Sequence, residues 1–410
     1  MSKARGLADL GNVYSDGALS NRNMVTNGAM QLAQRGVLFT GVNSTNMTCD
    51  RFKCLIATGT MGAYTISQDA DAPSGFANSL KFENTIANAS PLAGAFNVLF
   101  YAFEGQDLQR IGKGTADAQQ VTLSFWVKSN KTGTYQVNLN EDAYGNQRMV
   151  GDTYAVSVSG TWEKKTITFP ADTVGAFADD NLAAAQIEWW FGSGSTYSSG
   201  ATPTAWETMN NADRNAGSNV NLADTVGNYF QITGVQLEVG DTATPFEQRS
   251  YAQEMALCER YFEIQDTGDQ TFPLVRPSPA GTGAPSGGIV YRTVKRADPS
   301  ITFSGPASGG GALLPADLVK GSGNTSGTTI NSPTSIVAGA STYLRYKAVI
   351  IMDNMNITAA QYSAFEGNNT GIQATIDGVE MSVPLDLANR HYAEILKQVE
   401  AGTLVVATAE

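Results

Sequence analysis

Histidine is nearly absent from this chain: His391 is the only one among 410 residues. That excludes metal centres built from several histidines and leaves one candidate for Ser-His or Cys-His catalysis. Cysteine is scarce too. Cys49, Cys54 and Cys258 form an odd count, too few for a disulfide framework, and are expected to be reduced, partly buried thiols. Charge is sparse, at 16% of residues, and excludes a coiled coil, which would be rich in Glu, Lys and Leu. No basic excess exists. The net charge is −12, the wrong sign for a general nucleic-acid binder. No apolar run approaches the roughly 18 residues of a membrane span. The opening Met1-Ser-Lys-Ala-Arg-Gly6 lacks the apolar core of a secretory signal, so the protein is expected to mature where it is made.

What is abundant is glycine, 42 residues, with much Ser, Thr and Asn, as in short strands joined by turns. Residues 1–21 are polar around Leu7 and Leu10 and read as an arm ordered only by a partner or by docking on its own domain. From 22 to 249 the text is strand-like. Tyr64–Gln68, Val121–Lys128, Thr134–Leu139, Tyr154–Val158, Trp162–Phe169, Gln186–Phe191 and Phe230–Val239 are strand segments. The turn Lys131-Thr-Gly133 predicts that the second and third pair as a hairpin. An antiparallel jelly-roll sandwich follows as the expected fold. Its longest loop, Gly192–Asn228, carries Tyr197, Trp206 and six Asn. A loop of that length is usually functional or held by a neighbour.

Residues 250–263 change period. Tyr251, Met255, Cys258 and Phe262 fall on one helical stripe, so the jelly-roll domain is read as 22–263, ending in a helix. A smaller β-domain is expected over 264–355, from Gly288–Val294, Ser300–Phe303 and Tyr343–Met352. Residues 356–410 read as an α+β appendage. Its parts are a helix from Thr358 through Phe365, a hairpin about Asp377-Gly378, a helix capped by Asp386 with stripe Tyr392, Ile395, Leu396 and Val399, and a last strand Thr403–Ala407.

Motifs for catalysis are weak. Gly112-Lys113-Gly114-Thr115 departs from a phosphate loop in spacing and in lacking Ser or Thr after the lysine, and reads as a turn. Glu104, Asp107, Glu141 and Asp142 offer carboxylates for glycoside hydrolysis, but acidic residues at strand ends are commonplace. His391 stands beside Arg390 and Tyr392 without a nucleophile elbow, as a surface or interface residue. No catalytic residues are assigned and no enzyme is expected. No cofactor is expected either; structural calcium is compatible with a jelly roll, but no sequence feature locates it.

The aromatics say more. Trp126, Trp162 and Trp189 lie in strand text and are expected in the core. Trp190 ends a strand, Tyr197 and Trp206 lie in the long loop, and Tyr144 sits in Asn140-Glu-Asp-Ala-Tyr-Gly-Asn-Gln147. Such rings among Asn, Asp and Gln suit sugar binding: the ring takes the apolar face of a sugar and amides or carboxylates take its hydroxyls. Packing against a neighbouring subunit would use the same residues. Tyr144, Trp190, Tyr197 and Trp206 are therefore the glycan-binding candidates.

Several segments carry a family resemblance. Asn21–Gly36, Cys49-Asp-Arg-Phe-Lys53, Phe103–Leu108, Val121–Ser129, Ile232–Gly240, Ala243–Ala252 and Ala256–Phe262, in that order, resemble a domain of bacteriophage tail-fibre-like proteins. That domain looks like the jelly roll of galactose-binding-like carbohydrate-binding modules. Ala374–Leu385 with Asn389-Arg-His-Tyr392 resembles small phage proteins found with tail genes. The resemblance implies a virion appendage, a tail fibre or spike, made in the bacterial cytoplasm. It implies a homotrimer, attached to other virion proteins through the N-terminal arm and touching host-surface glycan. From the net charge and the lack of a long apolar run, no nucleic-acid partner and no membrane insertion are expected. The other readings are a purely structural virion protein, such as a head fibre or tail adaptor, and a glycan depolymerase.

Overall fold

In a computed structural model the chain forms two compact units, Met1–Cys258 and Glu259–Glu410. The structure describes residues 21–57, 61–141 and 147–266, and, beyond these, 272–273, 286–296, 299–304, 319–323, 326–331, 343–344, 347–351, 357–365, 368–376, 379–385, 395 and 406–407. The N-terminal arm, Tyr144, Asp142 and His391 lie outside the described residues.

The first unit is an antiparallel sandwich. Its strands are β1 (Leu38–Val42), β2 (Asn46–Met47), β3 (Phe52–Ile56), β4 (Ala63–Asp69), β5 (Ser79–Ile86) and β6 (Phe96–Glu104). After a 3-10 helix, Gly105–Ile111, come β7 (Val121–Ser129), β8 (Gly133–Glu141), β9 (Arg148–Val156) and β10 (Glu163–Phe169). β11 (Ala183–Ser193), β12 (Glu207–Thr208), β13 (Tyr229–Val239) and the helix α1 (Tyr251–Glu259) complete it. One sheet has six strands in the order β1-β4-β5-β13-β7-β10; the other has seven, β12-β9-β8-β11-β6-β3-β2.

Period-2 alternation decides the core. Leu123, Phe125, Val127, Phe230, Ile232 and Phe82 point inward from the six-stranded sheet and meet Phe52, Tyr101, Tyr135, Val137, Trp189 and Phe191 from the other, all at most 2% exposed. Phe125 lies edge-on to Trp189, with ring centres 6.0 Å apart. Phe191 and Phe230 are 4.6 Å apart.

The expected hairpin between β7 and β8 does not form. β7 pairs with β13 and β10, whereas β8 pairs with β9 and β11. Alternation tells which residues face the core but not which strand lies alongside. Here the apolar rows of β7 and β8 face one another across the sandwich. The helix stripe is also corrected. Tyr251 is 60% exposed, Glu254 and Cys258 are buried, and Phe262 belongs to the next strand. Glu254 turns inward because it accepts the Asn27 amide N–H at 2.7 Å.

All three cysteines are free and buried, and burial pushes each thiol pKa up. Among the described residues no helix is long and apolar enough to cross a membrane.

The second unit is built of small antiparallel sheets. β14 (Phe262–Asp266), β15 (Phe272–Pro273), β16 (Ser286–Val290), β17 (Ser300–Ser304), β18 (Val319–Gly323), β19 (Gly327–Asn331), β20 (Tyr343–Leu344) and β21 (Lys347–Ile351) come first. β22 (Ile357–Phe365), β23 (Asn368–Ile376) and β24 (Val379–Pro384) form a meander. The helix expected from Thr358 is therefore a strand: alternation of Ala360 and Tyr362 against β23 outweighs the capping signal. β23 pairs with β24 across Asp377-Gly378, as expected of that hairpin; the turn itself lies outside the described residues, as does most of the helix expected after Asp386. Lys295 is buried and bonds Glu263 and the Glu259 carbonyl.

Trp189→Ala is expected to leave a cavity at the centre of the first unit. The cost should be about 3–5 kcal/mol, read as a lower urea midpoint with the slope retained.

Candidate functional site

The same alternation that fills the core puts a polar block on the outer face of the seven-stranded sheet. β8 contributes Gln136, Asn138 and Asn140; β11 contributes Gln186, Glu188 and Trp190. Register sets Gln186 beside Asn140, Glu188 beside Asn138 and Trp190 beside Gln136. Six consecutive outward positions thus bear amides, one carboxylate and one indole. Inside the block, Gln186 Nε2 and Trp190 Nε1 donate to Glu188 at 3.0 and 3.1 Å.

Most of the block is covered by the chain itself. Residues 194–217, expected as an open loop, lie across it. A helical turn, Ser195–Ser198, and a 3-10 turn, Asn211–Asp213, shape the cover. Gln136 Nε2 donates to the Asp213 carbonyl at 2.8 Å, and Asn138 Nδ2 to that of Arg214 at 2.7 Å. The Gly217 N–H returns a bond to Gln136 Oε1 at 2.7 Å. Arg214 pairs with the Glu188 carboxylate, and its guanidinium sits 5.1 Å from the Trp190 ring centre and 5.8 Å from that of Tyr197. Two glycines permit the closeness. A Cβ at Gly151 would come within 2.1 Å of Asn138 Oδ1, and one at Gly217 within 2.2 Å of Thr202 Oγ1.

The placement of the predicted site residues follows from this cover. Trp190 is 1% exposed and Tyr197 3%. With Phe96 they form an aromatic group under the loop, Phe96 and Tyr197 lying 5.3 Å apart. The structure thus corrects their expected presentation to solvent: the guanidinium of Arg214 occupies the place over the rings. Asn140 was missed as a site residue. It is fully buried, and neither its Oδ1 nor its Nδ2 has a hydrogen-bond partner. An orphaned buried amide is costly, by about 1–3 kcal/mol. The sequence signal was available: outward positions of a strand that read Gln, Asn, Asn.

Trp206 lies elsewhere, over the edge of the sandwich. It is partly buried against the core, and its Nε1 donates to the Pro170 carbonyl at 2.7 Å. Beneath it is Lys113, from the supposed phosphate loop. That segment is a turn, as expected, closed by Gly112 at φ 63° after the 3-10 helix. Lys113 itself is buried. Its Nζ reaches Asp172 at 3.0 Å, Glu141 at 3.4 Å and the Val174 and Gly175 carbonyls at 2.7 Å each, 5.1 Å from the Trp206 ring centre. Arg148 clamps Asp172 at 2.7 and 3.1 Å and donates to the Trp206 carbonyl at 3.1 Å. Burial pushes the Asp172 carboxyl up, but Arg148 and Lys113 outweigh it and hold the group below its ordinary range. Burial raises Glu141 despite Lys113. The N–H donors of the lysine head all meet acceptors within the chain, which makes Lys113 a structural residue. Of the other carboxylates, Glu104 is buried against Gln106 Nε2 at 2.7 Å, in a different part of the sheet. Among the described residues, no three acidic, Cys or His side chains converge as a metal site.

No protein-family model matches the chain, and no curated protein sequence does. Among solved structures it is similar to the enzymatically active domain of tailspike protein 4 of bacteriophage CBA120, at 15% identity and TM-score 0.30, over 53% of this chain and 21% of that one. It is similar to a CBM4 module at 12% identity and TM-score 0.27, over 53% of this chain and 99% of that one. It is similar to the CBM22-2 xylan-binding domain of Paenibacillus barcinonensis Xyn10C at 13% identity and TM-score 0.26, over 49% and 98%. The chain spans 21% of the tailspike domain it matches. Likeness at this level carries no ligand over to this chain.

Two expected outcomes follow from the edge cluster. Asp172→Asn breaks a buried pair on both cations and should cost about 3–5 kcal/mol at neutral pH. Because the folded-state pKa of Asp172 is depressed, its contribution is complete above the ordinary carboxylate pKa of about 3.9. It is lost as pH falls through the folded value, so the gap between wild type and variant should narrow below about pH 4. Denaturant melts at several pH values check this. Trp206→Ala should lower the melting temperature by removing the lid over Lys113. Its cost should be about 2 kcal/mol, less than the ~3–5 of a fully buried ring.

Proposed function

We propose that this chain is a structural appendage of a bacteriophage particle, a tail fibre or spike, that takes part in recognition of host-surface glycan without cleaving it. The observation that carries the glycan part is the outward block of β8 and β11. Gln136, Asn138, Asn140, Gln186, Glu188 and Trp190 form a set of hydroxyl-directed groups beside one indole, with both polar atoms of Asn140 unspent. Amides and carboxylates beside an aromatic ring are what a sugar needs from a protein. The particle part is supported by the ordered motifs that resemble tail-fibre-like proteins, from Asn21 to Phe262. In this reading the chain assembles as a homotrimer, residues 1–21 attach it to other virion proteins, and it needs no cofactor.

A second reading, a purely structural virion protein, is favoured by the cover itself. Residues 194–217 already satisfy Gln136, Asn138 and Glu188.

Adsorption to host cells separates the two. Under the first reading, Asn140→Ala should weaken adsorption of the purified chain several-fold while its melting temperature holds or rises, since an orphaned amide is removed. No adsorption of the wild-type chain supports the structural reading, and equal adsorption of variant and wild type removes the β8–β11 block as the contact. Reducing ends released from host polysaccharide should stay at background; measurable release would overturn the non-catalytic assignment. Light scattering should give a trimer mass, and a 43.3 kDa monomer would remove that part of the proposal.

A further inference from the structure

The outer face of the six-stranded sheet differs from the covered one. Trp126 and Trp162, expected in the core, are on this face and partly exposed. The parity that turns Phe125 and Val127 inward turns Trp126 and Lys128 outward. β10 pairs Lys164 with Trp126 and Glu163 with Val127, so the next residue, Trp162, falls beside Lys128. The two indoles are diagonal neighbours on one face, a spacing of about 7–8 Å between such positions.

Polar groups stand between them. Asp71, from the loop that follows β4, accepts the Trp162 indole N–H at 3.1 Å and Lys128 Nζ at 2.5 Å. Its side chain remains 44% exposed, leaving acceptor capacity toward solvent. The Lys128 bond holds its carboxyl below the ordinary range, so it stays an acceptor. Lys164 is exposed and makes no ion pair among the described residues. Trp126 is held from one edge. β13 bulges between Thr233 and Gln236, where Gly234 takes φ +62°; a Cβ there would lie 2.6 Å from the Phe76 ring and 3.0 Å from Trp126 Cδ1. The backbone thus recedes to seat the ring and Phe76 beside it, and Phe76 packs edge-on to Phe246 at 5.0 Å.

We infer that this face, Trp126 and Trp162 with Asp71, Lys128 and Lys164, is a second glycan-binding surface. It takes an oligosaccharide, whose apolar ring faces lie on the two indoles and whose hydroxyls meet the Asp71 carboxylate and the Lys164 ammonium. Exposed threonines flank it at 166 and 168, so the patch is not the broad apolar area a subunit interface buries. The inference rests on the glycan reading but places the contact on the part of the six-stranded sheet near β10, where Trp126, Lys128 and Trp162 are partly exposed and Lys164 is exposed.

Affinity electrophoresis of the full chain through gels holding xylan, mixed-linkage β-glucan, polygalacturonate or bacterial lipopolysaccharide tests it. At least one should retard wild type. Trp126→Ala/Trp162→Ala should weaken that retardation at least tenfold with circular dichroism and oligomer mass unchanged. Trp162→Phe, which keeps a ring but loses the donor to Asp71, and Lys164→Ala should each weaken it less, and neither touches the core. Asp152→Asn, exposed on β9 and part of neither set, should leave it unchanged. Retardation that survives the double variant but is lost in Asn140→Ala overturns this surface and leaves the proposed function standing. No retardation of wild type on any gel overturns both. A double variant that releases monomer makes the face a subunit interface and overturns the inference.

Discussion

The aromatic layer between the two sheets is the constraint on which the rest of the first unit depends. Phe125 sits edge-on to both Tyr154 and Trp189, at 5.1 and 6.0 Å. Phe230 bridges Phe191 and Tyr135, at 4.6 and 5.5 Å. A strand has only two faces, so fixing Phe125 and Trp189 inward fixes their neighbours outward; a one-residue slip would drive Trp126 and Trp190 into the core instead. The polar block of β8 and β11 and the paired indoles of β7 and β10 are both consequences of that parity.

A second constraint closes the chain on itself. Residues 21–28 run beside β13, Met24 N–H bonding the Leu237 carbonyl at 2.9 Å and Val235 N–H that of Gly28 at 2.9 Å. Asn27, at φ 60°, satisfies Leu32 and Asp50 through its amide. A Cβ at Gly28 would lie 2.1 Å from the Val235 carbonyl oxygen, so only glycine allows the approach. Glu247 accepts the N–H groups of Asn21 and Asn23, and Arg249 reaches the carbonyls of Asn23 and Val25. The segments that resemble a phage domain are thus, at these positions, the ones that tie the two ends of the domain together. Their sequence records a folding requirement rather than a binding site.

This explains what was legible. The strands of the first unit stand close to where alternation put them, because each buries one face and period 2 survives in the text. Pairing did not follow from it: β7 and β8, adjacent in sequence, lie in opposite sheets, since a turn of three residues serves a crossover as well as a hairpin. Tryptophan misled in both directions. Trp126 and Trp162 looked like core because they sit in strand text, and Trp190 and Tyr197 looked like a binding face because one ends a strand and the other lies in the long loop. A ring's exposure depends on which parity it takes and on what crosses over it, and neither is local. Lys113 shows the same limit. Its glycine neighbours give the turn, but the partners that bury it, Glu141 and Asp172, are far along the chain.

The two outer faces then differ for a reason of polar accounting. On the seven-stranded sheet, amides and a carboxylate at successive outward positions would be costly to bury unpaired, and the chain supplies a cover whose backbone carbonyls and Arg214 answer them almost completely. Asn140 is where the answer stops. On the six-stranded sheet the outward Gln236 and Glu238 of β13 are likewise buried and answered by Thr244 and Glu247, while toward β10 the outward residues are indoles, threonines and lysines that tolerate water. Asp71 and Phe76 are brought to them from outside the sheet, and the Asp71 side chain stays 44% exposed. A face whose polar groups are satisfied internally must give up those bonds before it can bind anything. A patch of partly exposed rings gives up only water, so the contact proposed there costs less to open than one on the covered block.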